Sequence, residues 1–192
     1  MLRALFLAPP GAGKGTQGTR LASRHAVPYL ATGDMLRDHV ERNTPIGQAV
    51  AKLMAEGELV PDDLVVGMVL DRMTKPVVLP GYVLDGFPRT IQQAEAAYGW
   101  GRERGATFHA VISLAVPRDE LIRRVIERSK DSGRSDDSVA TFEHRLDVYD
   151  ALTQPLLAFY RDREILVEVD GTGEVDDVTA RIEAALAPIP LD

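Results

Sequence analysis

Residues 8–17 of the chain read APPGAGKGTQ. Gly11, Gly13 and Gly15 alternate around a lysine, Lys14, and a hydroxyl follows at Thr16. Between a strand and a helix, such a segment can turn the amides of residues 11–16 onto a polyphosphate at the helix N-terminus, with no Cβ in the way. Lys14 would add a point charge beside a phosphoryl group in transfer. The spacing departs twice from the general phosphate-loop pattern G-x-x-x-x-G-K-[ST]. Ala8 stands where the first glycine belongs, and Gly15 displaces the hydroxyl by one residue, to Thr16.

A second stretch, YVLDGFPRT (82–90), ends an apolar run in Asp85. A carboxylate at the end of a buried strand is placed to orient waters on Mg²⁺ beside a phosphate loop. The Gly-Phe-Pro turn after it aims Arg89 at the same strand-end crevice. Other polar groups have plainer readings. Asp62-Asp63, Asp136-Asp137 and Asp176-Asp177 each open an expected helix, where they cap amides and complement the helix dipole rather than bind metal. The histidines (His25, His39, His109, His144) lack ligand spacing and read as structural or surface groups.

The elements that must position these groups are legible as alternating runs. Strand-like segments lie at 2–8, 27–30, 82–88, 109–116 and 164–169, and amphipathic helices at 13–25, 62–74, 90–104, 117–129, 138–154 and 175–187. Alternation of this kind indicates a parallel sheet covered on both faces by helices, with ligands beyond the carboxyl ends of the strands. Two intervals interrupt it: residues 31–60 carry helical pattern without a strand, and 129–137 (SKDSGRSDD) form a polar loop. Both sit where an α/β enzyme places mobile covers.

Composition narrows the function classes. With 192 residues and 45% hydrophobic content, the chain suits one domain with its own core. A net charge of −7 argues against a nucleic-acid-binding surface. The lack of cysteine excludes disulfides and thiolate zinc sites and fits a cytoplasmic setting. No signal peptide or apolar run of roughly 18–20 residues is visible, so no membrane association is expected.

In order and spacing, GAGKGTQ, TGDMLR, LDGFPRT and SGRSDD resemble the adenylate kinase family over essentially the whole chain. The resemblance implies a P-loop NTPase-type three-layer α/β fold with a five-stranded parallel sheet. Its core would comprise 1–30, 61–128 and 138–192, with a helical NMP-binding insertion at 31–60 and a short lid at 129–137. A lid of that type carries no zinc. The implied activity is Mg²⁺-dependent transfer, ATP + AMP = 2 ADP, in adenine nucleotide homeostasis, by a monomer. Carried onto this sequence, the ATP site takes Gly11, Ala12, Gly13, Lys14, Gly15, Thr16, Arg128 and Gly173. The AMP site takes Thr32, Gly33, Arg37, Leu59, Val60, Gly86, Arg89, Gln93, Arg134 and Arg145. Lys14, Arg89, Arg124, Arg134 and Arg145 are the catalytic set, and Asp85 acts on the metal through water.

The arginines make sense in an acidic chain because phosphoryl transfer gathers several phosphate charges, and guanidinium groups offer forked donors to them. Arg124 and Arg128 lie four apart on one helix face. Arg20, Arg123 and Arg181 read as surface charges. Two other readings stay open: a UMP/CMP kinase on the same scaffold, disfavoured by Thr32 and Gln93, and a non-catalytic nucleotide switch, disfavoured by Gly15 after the lysine. Gly15 matches the family's form, whereas Ala8 departs from it. At the strand end, Ala8 reads as a tolerated adjustment.

Overall fold

In the computed structural model, which describes residues 1–78, 80–132 and 138–191, the five expected strands form one parallel sheet. They are β1 (Arg3–Phe6), β2 (Tyr29–Ala31), β3 (Tyr82–Asp85), β4 (Ala110–Ala115) and β5 (Leu166–Asp170), in the order β2-β3-β1-β4-β5. Register aligns their business ends: Phe6 pairs with Asp85, and Ala31 pairs with Asp85 from the other side. The segments that leave β1, β2 and β3 therefore emerge side by side. After β1 the chain moves to one side of the sheet, and after β3 to the other. This makes the carboxyl end of β1 a topological switch point, the expected place for a ligand crevice.

Side chains alternate across the sheet as the strand period demands. Ala4 and Phe6 of β1 enter one buried cluster, which includes Leu21 and Ala22 of α1 (Lys14–Arg24) and Ile182 of α9 (Val175–Leu186). Leu121 and Val125 of α6 (Arg118–Ser132) and Phe142 of α7 (Val139–Val148) complete that layer. Leu5 enters the opposite cluster with Leu84 and Val111, under Val69 of α4 (Asp62–Met73) and Ala94 of α5 (Ile91–Arg104). Leu5, Leu84 and Val111 are wholly buried, each worth about 1.5–3 kcal/mol relative to exposure. The result is a sheet between two helical layers.

The interval 31–60 holds α2 (Thr32–Glu41) and α3 (Pro45–Glu56), which pack against each other beside the sheet's end. Thr44 caps α3 by accepting the Gly47 amide (3.1 Å), and Pro45 starts it without wasting a donor. Gly57 ends it at φ +80°, and a Cβ there would lie 2.8 Å from Arg145 Cγ. Only glycine permits both that conformation and that approach.

Two element ends differ from the sequence expectation. Helix α6 runs on through Ser132, into the stretch read as the start of a loop, because nothing in ERSKDS breaks a helix before Gly133. The single helix expected over 138–154 is instead α7, a π-helical segment Tyr149–Thr153, and then α8 (Leu156–Arg161). Pro155 has no amide to continue an α-helical ladder, and the Gln154 amide reaches back to Tyr149 O (2.8 Å), widening the turn. The remainder of the expected lid, including Arg134, lies outside the described residues.

Candidate active site

Helix α1 begins at Lys14, with Gly13 as its N-cap in the left-handed region at φ +92°. That conformation suits glycine and opens the helix start toward the crevice. Lys14 Nζ donates to the carbonyls of Ala8 (2.8 Å) and Pro9 (3.0 Å), so the lysine arches back over the loop it belongs to. Burial lowers its pKa, Asp85 opposes that, and Arg89, Arg145 and Arg128 add to the lowering, which leaves it at about 8. A polyphosphate arriving here would restore the ammonium's preference for charge.

The loop forms one wall of a cleft of about 450 Å³. Gly11, Gly13, Lys14, Gly15 and Thr16 line it on one side, Asp85 and Gly86 at the strand ends, and Arg37, Arg89, Arg124, Arg128 and Arg145 around the rim. Asp85 closes β3. Its Oδ2 accepts the Tyr29 hydroxyl (2.8 Å), while its buried Oδ1 has no hydrogen-bond partner among the described residues. An orphaned carboxylate oxygen at this point fits a hydrated divalent cation, which would satisfy it through water. Burial and the neighbouring carboxylate raise the Tyr29 phenol well above its ordinary pKa, so it remains a donor.

A second recess adjoins the first. Thr32, Leu36, Leu59, Val60, Val65 and Gln93 line it, and Gly33, Arg37, Gly86, Arg89 and Arg145 belong to both. Two of its polar groups are deeply buried: Thr32 is 2% exposed with its Oγ1 lacking a partner among the described residues, and Gln93 is 2% exposed. Arg89 is braced from three directions. Its Nε donates to Gly86 O (2.9 Å), its amide to Gln93 Oε1 (2.8 Å), and its carbonyl accepts the Thr153 hydroxyl (2.9 Å). Arg37 pairs with Asp34.

A cleft lined by the glycine loop, a lysine and arginines, joined at shared arginines to a recess of buried polar and apolar groups, could hold a phosphate chain beside a second small ligand. Comparison with known proteins agrees. The sequence profile of the family described as Adenylate kinase matches residues 6–165. The chain is 47% identical to an adenylate kinase of Thermus thermophilus over 182 residues, 95% of each chain. The chain belongs to the adenylate kinase family. It is also 42% identical to an adenylate kinase of a Nocardioides species over 189 residues, covering 98% of this chain and 99% of that one. A Clavibacter michiganensis adenylate kinase is 44% identical over 191 residues (97% and 94%). Like the other members of this family, the chain is a nucleoside monophosphate kinase, a phosphotransferase.

Within that adenylate kinase frame, most of the residues named from sequence converge on the two recesses. Two do not line them. Ala12 is buried in the core, its amide donating to Pro9 O (3.3 Å), and Gly173 sits at φ +88° in the turn before α9, near Arg181. Arg181 itself ties that turn down through the carbonyls of Asp170 and Thr172 (2.9 and 2.7 Å). Gln17, the last letter of GAGKGTQ, faces away from the cleft. It donates to Val175 O (2.9 Å) and accepts from Thr179 Oγ1 (2.7 Å), pinning α1 to α9.

The sequence reading missed the groups that hold site residues in place. Tyr29 holds Asp85, with its ring seated against Gly18. Glu120, one helical turn before Arg124, accepts from its Nε (2.8 Å) while Gly171 O accepts from its Nη2 (3.0 Å). Arg123 and Arg124 together hold the Glu120 carboxyl at about 2. The i,i+4 spacing of Glu120 and Arg124 was the available signal. Asp62 is the first residue of α4, but its side chain does not cap that helix. Its oxygens instead accept Thr90 Oγ1 (2.8 Å) and Gln93 Nε2 (2.6 Å).

Proposed function

We propose that the chain catalyses reversible phosphoryl transfer from ATP to AMP, giving two ADP, with ATP's phosphates along Gly11–Thr16 and AMP in the recess under α2 and α3. The observation that carries this reading is that the two recesses meet at Arg89 and Arg145. An anionic oxygen of the AMP phosphate attacks the γ-phosphorus; the bond from that phosphorus to the β–γ bridging oxygen breaks, and the bridging oxygen leaves on ADP. The attacking oxygen is already deprotonated, so no general base is needed. Catalysis rests on position and charge.

Lys14, Arg124 and Arg128 face the donor phosphates, and Arg134 from the lid joins Arg145 on the AMP side when it closes. Arg37, Arg89 and Arg145 hold the acceptor phosphate, Gly33 and Gly86 let it approach the backbone, and Thr32, Leu59, Val60 and Gln93 select adenine. Asp85, backed by Thr16, would hold hydrated Mg²⁺, which supplies charge neutralisation across the phosphates when bound. Gly173 and Ala12 act at the edges of the ATP site, Ala12 by fixing the loop's shape through its amide bond to Pro9 O. Segments 31–60 and 129–137 close over the substrates and keep water from competing with AMP. We place the reaction in a cytoplasmic monomer that neither binds nucleic acid nor enters membranes. The acidic net charge supports this reading, as does the finding that no described helix is long and apolar enough to cross a membrane.

The test is ADP formation from ATP with AMP, CMP and UMP as alternative acceptors. AMP should give a kcat/KM at least about tenfold above either pyrimidine, as a hydrogen-bonded base pocket requires. Faster turnover of CMP or UMP would replace this reading with a pyrimidine monophosphate kinase.

A further inference from the structure

We propose that Asp62 is a specificity-determining positioning residue. With the Arg89 amide, it fixes which way round the Gln93 carboxamide sits, and so selects a 6-amino over a 6-oxo purine monophosphate. The proposal rests on the reading above that Gln93 faces the base.

A glutamine amide carries a donor and an acceptor that exchange places when it rotates by half a turn. A freely rotating Gln93 could therefore pair with adenine, whose C6 amine needs an acceptor, or with hypoxanthine, whose C6 carbonyl needs a donor. Here both ends meet groups of fixed polarity. Gln93 Oε1 accepts the Arg89 backbone N–H (2.8 Å), which can only donate. Gln93 Nε2 donates to Asp62 Oδ1 (2.6 Å), and a carboxylate can only accept. The flipped amide would set N–H against N–H and oxygen against oxygen in a site where Gln93 is 2% exposed and water cannot compensate. The orientation thus follows from the neighbours and not from how the amide atoms are assigned.

Thr90 completes the lock. Its Oγ1 accepts the Gln93 backbone N–H (3.2 Å) as the N-cap of α5 and donates its own proton to Asp62 Oδ2 (2.8 Å). Both carboxylate oxygens are therefore acceptors by necessity. What remains on Gln93 is one Nε2 hydrogen and one Oε1 lone pair, the latter available for a C6 amine. Thr32 Oγ1, buried and without a partner among the described residues, lines the same recess.

Asp62→Asn keeps the shape and removes the fixed polarity. With Thr90 donating to the asparagine carbonyl, the new Nδ2 would face Gln93 and donate to a flipped Oε1, leaving the Arg89 N–H alone to hold the native orientation. The experiment measures kcat/KM for AMP and for IMP at saturating ATP in the wild-type chain, Asp62→Asn and Gln93→Leu. Asp62→Asn should narrow the AMP-to-IMP ratio on the order of tenfold, chiefly by raising IMP use. A merely structural role at the start of α4 would lower stability or slow both substrates alike. If Gln93→Leu narrows the ratio and Asp62→Asn leaves it at the wild-type value, the lock is wrong while the base reading stands. If Gln93→Leu also leaves it unchanged, both fall. Should Asp62→Asn not fold, as judged by near-ultraviolet circular dichroism, Asp62→Ser removes the same constraint and is read by the same criterion.

Discussion

Around the loop after β1, most side chains facing the cleft are charged, among them Lys14, Arg124, Arg128 and Asp85, held by backbone carbonyls, Glu120 and Tyr29. Around the adjoining recess, the buried polar groups are neutral: the Thr32 hydroxyl and the Gln93 amide, with Leu36, Val60 and Val65 beside them. Charge acts over distance and tolerates small displacements, whereas a buried donor or acceptor is worth nothing unless its partner has the opposite polarity. In the proposed reaction, the first region would stabilise a transferring phosphoryl group and the second would tell one base from another. Arg89 and Arg145 line both and, in that reaction, would couple the two tasks.

Removing the lysine should break the comparison most visibly on the charged side. Lys14→Met is expected to lower kcat by about 10²–10³-fold, the usual cost of losing one preorganised charge partner, and to leave the preference for AMP over CMP untouched. Steady-state kinetics with both acceptors checks this.

A pH profile sharpens the same point. With the free-protein ammonium at about 8, kcat/KM for ATP should be highest below that value and fall as pH rises through it, because the neutral amine no longer attracts phosphate. The bound triphosphate favours the charged form, so the alkaline limb of kcat should lie at higher pH than that of kcat/KM. Coincident limbs would assign the titration to another group.

The charged region was the more legible of the two in the sequence. Glycines, lysine and arginines announce themselves by type, and an apolar run ending in Asp85 points to a strand terminus. The five strands followed from apolar runs, although β2 spans only Tyr29–Ala31 and depended on its neighbours for recognition. What stayed hidden were contacts between distant segments. Asp62 and Gln93 are separated by 31 residues and Tyr29 and Asp85 by 56, and no local periodicity links them. The acidic doublet at Asp62-Asp63 carried a good local explanation as a helix start, which masked the tertiary one. The π-helical turn was equally unreadable, since Pro155 predicts an interruption but not that Thr153 will then reach Arg89 O.

The smallest expected effect concerns Ala8. Its side chain is 5% exposed and packs in the core cluster with Phe6 and Leu21, and its φ is not in the left-handed region. The extra methyl is thus a core atom and causes no strain in the loop. Ala8→Gly should cost about 1 kcal/mol of stability, from one lost buried methyl and a looser unfolded chain, measured by thermal or urea unfolding, with no tightening of ATP binding.

The division between charge and direction is tested most directly by one matched set of kinetics: kcat/KM for AMP and CMP in the wild-type chain, Lys14→Met and Gln93→Leu. Lys14→Met should depress both acceptors by the same factor, and Gln93→Leu should collapse the AMP preference while retaining most of the CMP rate. A shifted base preference in Lys14→Met, or an equal loss on both acceptors in Gln93→Leu, would contradict it.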